Sequence, residues 1–255
     1  MWKRILRQPL DDVLACLEPL FAARRPLFVM IPLMVSAIVV WVVYVPIHEL
    51  LHAYGCIWTG GTVTELQISG RYLGALFAKY FDFVVTHSEY AGRLSGFDTH
   101  GSDLCYMATV FMPFMLSVLI GIPLIKAIRG RRRPILFGAA VVIGLAPFYN
   151  LTGDYNEMGT IIVTRAATLG LSNPPVLAGL RPYSDDIFNL WYLLFADPAK
   201  LGLKSFGGIV LAGVVMTLAF VVGLVLSFLT YWLGHLVACA LRIHGGAATA
   251  ASDKT

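Results

Sequence analysis

The sequence predicts an all-α integral membrane protein with about four transmembrane helices, a short membrane-associated β-hairpin and interfacial helices. Three observations support this fold class. Of the 255 residues, 58% are hydrophobic and only 13% are charged. A soluble domain carries about 25% charged residues. The mean hydropathy is +0.74, and apolar runs of membrane length recur along the chain.

Four apolar segments are predicted to cross the membrane, because a helix needs about 20 residues to cross about 30 Å of hydrocarbon. They are residues 27–47, 104–125, 135–149 and 206–233. The third of these is the shortest. An amphipathic helix over residues 10–21, ended by Arg24-Arg25-Pro26, is predicted to lie on the membrane surface.

Two connections between these segments contain further predicted elements. Residues 63–68 alternate in side-chain character between glycines, which predicts a short strand or hairpin. Residues 184–195 read SDDIFNLWYLLF, with Ser184 as an N-cap and apolar side chains at helical spacing. We interpret this second segment as an interfacial helix.

The basic residues predict the orientation. With the N-terminus in the cytoplasm, 12 of the 19 lysine and arginine residues lie in cytoplasmic segments, and the other seven are diluted over long loops. The positive-inside rule therefore favours a multi-pass protein with both termini in the cytoplasm. This clustering indicates topology rather than a nucleic-acid surface, so no nucleic-acid partner is expected.

Residues 45–55 read VPIHELLHAYG and contain the main functional motif. Two histidines four apart on a helix share a face, so His48 and His52 are predicted to bind one metal ion. Glu49 lies where it can deprotonate a water molecule, and zinc suits this constellation. The motif ends a membrane span, where ionisable groups are costly and usually functional, which favours a metal site over a chance match.

The predicted topology brings a third ligand to the same membrane face. It places the C-terminal ends of the first and third spans on the same side of the membrane, the extracytoplasmic side. Asp154 is the first carboxylate after the third span, and Asn150 lies one turn before it. Asp154 is the predicted third ligand, and the alternatives are Glu157, His87 and His100.

Three motifs together resemble the site-2 protease family, the intramembrane zinc metalloproteases. They are HELLH at 48–52, GGTVTELQI at 60–68 and NLTGD at 150–154, within a resemblance that covers about residues 30–160. That family has HExxH at one end of a membrane helix, then a Gly-x-Val-x-Glu-like β segment, then an Asn…Asp-Gly motif. The chain departs from the pattern where Gly153 precedes the aspartate and where Pro147 precedes Asn150.

The resemblance implies a set of residue roles. His48, His52 and Asp154 would bind Zn²⁺, and Glu49 would be the general base. Asn150 would stabilise the developing oxyanion or hold an extended substrate backbone. The implied activity is that of a zinc metalloendopeptidase acting on membrane-protein or peptide substrates in or near the lipid bilayer.

We interpret the chain as a single membrane-embedded domain. It comprises an N-terminal interfacial helix over 1–26, a zincin core over 27–160, and a last part over 161–255 with an interfacial helix and the final span. The alternative function is a non-catalytic, protease-like membrane subunit or assembly factor. Its long loops, 59–103 and 151–205, would then dock a partner membrane complex. The presence of Glu49 favours the enzyme, because a structural zinc site has no need of it.

The four cysteines predict no site of their own. Cys16, Cys56, Cys105 and Cys239 are scattered without a CxxC spacing. This pattern is typical of small apolar residues rather than of a disulfide framework or a cysteine metal site.

Overall fold

The computed structural model describes residues 2–22, 27–88, 90–170 and 179–243. The described helices are α1 (Trp2–Phe21), α2 (Leu27–Trp58), α3 (Gly74–Phe77), α4 (Asp103–Phe111), α5 (Ile122–Ile128), α6 (Pro134–Gly144), α7 (Ala146–Tyr149), α8 (Asp154–Gly170), α9 (Ile187–Ala196) and α10 (Phe206–Ala240). The described strands are β1 (Thr62–Ile68), β2 (Val84–Val85) and β3 (Gly92–Asp98). The segment Arg24-Arg25-Pro26, predicted to end the first helix, lies outside the described residues.

The chain forms two compact units. The first comprises Met1–Ala146 and Phe228–Thr255, and the second comprises Pro147–Ser227. The first unit contains the HELLH motif and the sheet, whereas the second begins just before Asn150 and Asp154.

Within the described residues, three helices are long and apolar enough to cross a membrane. They are Leu27–Trp58, Phe206–Ala240 and Asp103–Ile128, the last running from α4 to α5 through a 3-10 turn at Met112–Phe114 and a π-helical segment at Ser117–Gly121. These helices support the membrane class and match three of the four predicted spans. The predicted span 135–149 corresponds instead to α6, which has 11 residues, followed by the short α7. Eleven residues rise about 16 Å, roughly half of the hydrocarbon thickness. The count of four spans is therefore not confirmed, and the orientation stays a prediction.

Helix α2 carries the apolar run and the HELLH motif without interruption, as predicted. It has 32 residues and contains Pro32 and Pro46. Proline is tolerated inside membrane helices because neighbouring groups satisfy the freed backbone carbonyls. The helix ends at Trp58, and Gly60 then reverses the chain with a φ of 93°. The amide of Gly61 donates to the Cys56 carbonyl at 2.9 Å, which satisfies one carbonyl of the last helical turn.

The predicted strand at 63–68 is present, as the middle strand of a three-stranded sheet with order β2-β1-β3. It pairs antiparallel with β3 from Thr62↔Asp98 to Ile68↔Gly92, and parallel with the two-residue β2. Leu66 and Ile68 are fully buried in a cluster with Ala53 of α2. This cluster fixes the sheet to the helix one residue after the second histidine of the motif.

A buried carboxylate fixes α1 within the first unit. Asp12 is 1% exposed and forms ion pairs with Lys126 and Arg129. The hydroxyl of Tyr231 donates to the same carboxylate at 3.0 Å. A buried charge with these partners is costly to expose, so these contacts dock α1 against the last turn of α5 and against α10. Its opposite apolar residues, among them Leu10 and Leu14, remain exposed.

The second unit is built on α8, α9 and the first part of α10. A Cβ at Gly159 would lie 1.9 Å from the Ala219 carbonyl oxygen, so glycine allows α8 and α10 to approach closely. The predicted interfacial helix is α9, but its N-cap is Asp186 rather than Ser184. The Asp186 carboxylate accepts from the amides of Phe188 and Asn189. The Ser184 prediction was wrong, because that hydroxyl is turned back to donate to the Arg181 carbonyl at 2.7 Å.

Candidate metal centre

His48 and His52 lie one helical turn apart on the buried face of α2. Their exposed fractions are 6% and 8%, and their rings meet edge to face with centroids 4.8 Å apart. The two Nε2 atoms are 3.2 Å apart. The structure therefore brings together the two histidines that the motif paired, and aims the same ring nitrogen of each at one point.

A backbone carbonyl fixes the orientation of His52. Its Nδ1 lies 2.8 Å from the carbonyl oxygen of Thr109 on α4. A carbonyl can only accept a hydrogen bond, so Nδ1 carries the hydrogen and donates it. The lone pair of the neutral His52 ring therefore lies on Nε2, and this tautomer can bind a metal ion through Nε2.

Two aromatic residues position His48. Its Nδ1 lies 2.9 Å from the hydroxyl of Tyr44, one helical turn earlier on α2. The ring of Phe114 packs edge to face against it, with centroids 5.6 Å apart. A tyrosine hydroxyl can donate or accept, so it satisfies His48 Nδ1 in either tautomer. When Nδ1 carries the hydrogen and donates it to Tyr44, the lone pair of the neutral His48 ring also lies on Nε2.

The separation of the two Nε2 atoms fits a shared metal ion. Zinc binds imidazole nitrogen at 2.0–2.1 Å with tetrahedral geometry, which places two such nitrogens about 3.3 Å apart. The observed 3.2 Å agrees with that value. A direct hydrogen bond from His48 Nε2–H to His52 Nε2 also fits the distance, with the Tyr44 hydroxyl then donating to His48 Nδ1. Metal-binding histidines commonly have a hydrogen-bond acceptor on the far ring nitrogen, as His52 has in the Thr109 carbonyl.

Glu49 lies against the first residue of β3. A Cβ built on Gly92 would lie 2.3 Å from Cγ of Glu49, 3.0 Å from Cδ and 3.3 Å from Oε1. Real side-chain atoms do not approach that closely, so only glycine at position 92 leaves room for Glu49. The half-buried carboxylate is therefore held between the motif helix and the end of the sheet.

The second unit contains the remaining candidates. Asp154 is the first residue of α8 and is half-buried, and Glu157 is buried in the same first turn. Carboxylates are stabilised at this end of a helix by the backbone amides and the helix dipole. The Asn150 carbonyl accepts from the amides of Gly153 and Tyr155, so this residue closes the turn before α8.

The loop histidines lie at the surface. His100 is held by Asp98, with an Nδ1–Oδ2 distance of 3.2 Å, and it has a positive φ of 51°. His87 is exposed in the connection between β2 and β3.

Glu65 of the β segment acts within the sheet. Its Oε1 accepts from Gln67 Nε2 at 2.7 Å and from Ser95 Oγ at 2.8 Å. These two hydrogen bonds hold the pKa of the Glu65 carboxyl below its ordinary value. Its contacts link β1 to β3, which is a structural role for the glutamate of the GGTVTELQI motif.

Three residues that position the site were not found from the sequence. Tyr44 precedes His48 by four residues, so helical spacing alone could have indicated it. Gly92 and the Thr109 carbonyl come from segments distant in sequence. No pattern within the motif indicates them.

No protein-family model, curated protein or solved structure matches the chain. The resemblance to the site-2 proteases therefore rests on the three sequence motifs.

Proposed function

We propose that the chain is a membrane zinc endopeptidase that hydrolyses peptide bonds of membrane or membrane-proximal substrates. One observation carries the proposal: the Nε2 atoms of His48 and His52 converge to 3.2 Å while both Nδ1 atoms have hydrogen-bonding partners. Such a pair is arranged to bind a cation. The adjacent Glu49 supplies a carboxylate that a purely structural site does not need.

Asp154 is the proposed third ligand. In this proposal His48, His52 and Asp154 would each offer one ligand atom to the metal ion. Two imidazoles and one carboxylate are a ligand set of catalytic zinc sites, which keep a fourth position open. Glu157 remains the nearest alternative along the chain, one turn further on α8.

Each residue of the proposed site would have a separate role in hydrolysis. Held by His48, His52 and Asp154, a zinc ion would supply Lewis-acid chemistry and lower the pKa of a bound water. Glu49 takes the proton of the attacking water and passes it to the leaving amine. Asn150 donates from its side-chain amide to the oxyanion or to the substrate backbone. The carbonyls of a membrane helix are all hydrogen-bonded, so the substrate must unwind locally before attack.

The membrane setting follows from the helix that carries the motif. Helix α2 is one of the three helices long and apolar enough to cross a bilayer, and both histidines lie in its last third. The proposed active centre is thus toward one end of a span, where a substrate helix leaves the hydrocarbon and water can enter.

Metal analysis tests the proposal directly. We expect wild-type protein purified without chelators to carry close to one equivalent of zinc, and His48→Ala and Asp154→Ala to carry little. A ligand loss leaves too few protein donors for a tight tetrahedral site. Zinc is measured by elemental analysis on protein whose folding is checked by circular dichroism and size-exclusion chromatography.

The matched control is His87→Ala, which removes an exposed histidine and should leave zinc content unchanged. Wild type without zinc would overturn the proposal. Zinc loss in His87→Ala with retention in Asp154→Ala would assign the third ligand to the loop. If the protein binds zinc but no Glu49-dependent activity exists, the non-catalytic subunit becomes the better interpretation.

Tyr44 provides a second, more graded test. Tyr44→Phe removes the hydroxyl that would accept from Nδ1 of a zinc-bound His48, so zinc affinity should fall by about 10- to 100-fold, as for other outer-shell partners of metal ligands. Affinity is measured by competition with a zinc-binding indicator. Tyr54→Phe, on the same helix but packed on Trp58 and Phe81, is the control. Equal affinities in both variants would remove Tyr44 from the site.

A further inference from the structure

Cys56 and Cys105, which we interpreted from the sequence as ordinary apolar residues, lie together where the end of α2 packs against the start of α4. Cys56 is in the last turns of α2, one turn after His52, and Cys105 is in the first turn of α4. Their exposed fractions are 0% and 1%. The two helices approach closely here, since a Cβ at Gly55 would lie 2.6 Å from the Ala108 carbonyl oxygen.

The sulfur atoms occupy the same small space. A Cβ built on Gly61 would lie 2.4 Å from Sγ of Cys56 and 2.9 Å from Sγ of Cys105. Both sulfurs therefore face a single point, and only glycine at position 61 leaves room for them. The Cys105 thiol also contacts the backbone of its neighbour, donating to the Cys56 carbonyl at 3.6 Å.

The surroundings of the pair favour a bond between the sulfurs over a metal ion. The Cys56 thiol faces the carbonyl oxygens of Thr62 and Asp98, at 3.7 and 3.8 Å. A soft metal bound by two thiolates would need further sulfur or nitrogen ligands. In the part of the chain that the structure describes, the group of three or more side chains that could hold a metal ion does not include these cysteines.

We propose that Cys56 and Cys105 form a reversible disulfide that fastens the end of α2 to the start of α4. The oxidant is an external disulfide, either small or carried by a thiol–disulfide oxidoreductase. One cysteine thiolate attacks it, forms a mixed disulfide and releases one thiol. The second cysteine thiolate attacks its neighbour's sulfur in that mixed disulfide and releases the second thiol. The pair loses two electrons and two protons, and the external disulfide gains them.

The position of Cys56 and Cys105 near helix ends allows an external disulfide to reach them. Both cysteines lie within about one turn of a helix end, so local opening of residues 59–61 and 99–102 exposes them without unfolding a span. The predicted orientation places this end of α2 on the extracytoplasmic side, where disulfides persist. The bond would enclose β1, β2 and β3 in one covalent loop.

The pair is also connected to the histidine pair through α4. Thr109 lies one turn after Cys105 and donates from its hydroxyl to the Cys105 carbonyl at 2.8 Å, while its own carbonyl accepts from His52. Fastening α4 to α2 therefore holds the carbonyl that orients His52. The proposed disulfide does not depend on the proposed peptidase activity. Its test measures only which cysteine thiols are free and which are linked.

The experiment counts thiols in the full-length protein in detergent or bilayer. The protein is incubated with oxidised glutathione, denatured, alkylated with a maleimide and analysed by peptide mass spectrometry. We expect wild type to lose two alkylatable cysteines, with a peptide linking Cys56 to Cys105, and dithiothreitol to restore both. The double variant Cys16→Ser/Cys239→Ser keeps the pair and should behave in the same way.

Cys56→Ser and Cys105→Ser should each keep the three remaining cysteines alkylatable after the same oxidation. The wild-type and double-variant arms stand even if these single variants fold poorly. All four thiols remaining free in oxidised wild type would overturn the proposal. A disulfide mapped to another pair, or mixed glutathione adducts that never resolve, would do the same.

Discussion

Glu49→Gln should lower peptide hydrolysis by about 10²- to 10⁴-fold, the range that positioned general bases contribute, while zinc content stays at the wild-type level. Glutamine has nearly the same shape, so the close packing of this side chain against Gly92 is retained. It cannot take a proton from water, because its side-chain oxygen is an amide carbonyl. The variant therefore separates the proton transfer from metal binding.

The measurement pairs elemental zinc analysis with a peptide assay. Membrane peptides that co-purify with wild type and with Glu49→Gln are compared by mass spectrometry, since an inactive variant should accumulate uncut substrates. Glu65→Gln is the matched control, because that carboxylate lies in the sheet and accepts from Gln67 and Ser95. Full retention of activity in Glu49→Gln would favour the non-catalytic subunit. Loss of zinc would make Glu49 a ligand.

The helical parts of the fold were predictable because their signals are local. The apolar run of α2 and the i, i+4 histidines need only helical geometry, and both appear in one continuous helix. Strand β1 was also predicted, because successive side chains alternate in character and glycines flank the segment on both sides. Strand β3 reads GRLSGFD and was missed, since two glycines interrupt the alternation that identifies a strand.

Predictions failed or stayed unconfirmed where a choice depends on tertiary contacts. Residues 184–186 offer three possible caps in a row, and local propensity does not choose among serine and two aspartates. In the structure Asp186 is the N-cap, because the buried Ser184 hydroxyl donates to the Arg181 carbonyl instead. The segment 135–149 is apolar throughout, yet its helix ends at Gly144 and a short separate helix follows. Composition alone does not place that break.

The candidate site shows the same division. His48, Glu49, His52 and Tyr44 share one helix, so their relation can be read from spacing. The carbonyl that orients His52 belongs to Thr109, 57 residues away along the chain. A backbone acceptor has no sequence signature, and it becomes visible only when α4 is packed on α2. Likewise, glycine is needed at position 92 because of the Glu49 side chain, which lies on a different element.

Gly92→Ala should reduce peptide hydrolysis by about 10²-fold, because misplacing a catalytic group by about 1 Å has that effect. The added Cβ would lie 2.3 Å from Cγ of Glu49, so the glutamate must rotate away. The imidazoles of His48 and His52 are held by Tyr44 and Thr109 instead. Zinc content should therefore stay close to wild type. Gly70→Ala, whose added Cβ would meet nothing within 4 Å, is the control and should keep full activity.

A double variant decides whether Gly92 acts through Glu49. If the alanine works only by displacing the glutamate, then adding Gly92→Ala to Glu49→Gln should cause little further loss, because the base is already absent. Independent effects would instead multiply. The same comparison separates displacement from general damage to the sheet: a variant that lowers zinc content or thermal stability together with activity would show that Gly92 supports the fold. If the double variant retains zinc and is no less active than Glu49→Gln alone, then Gly92 at the start of β3 positions the proposed catalytic base.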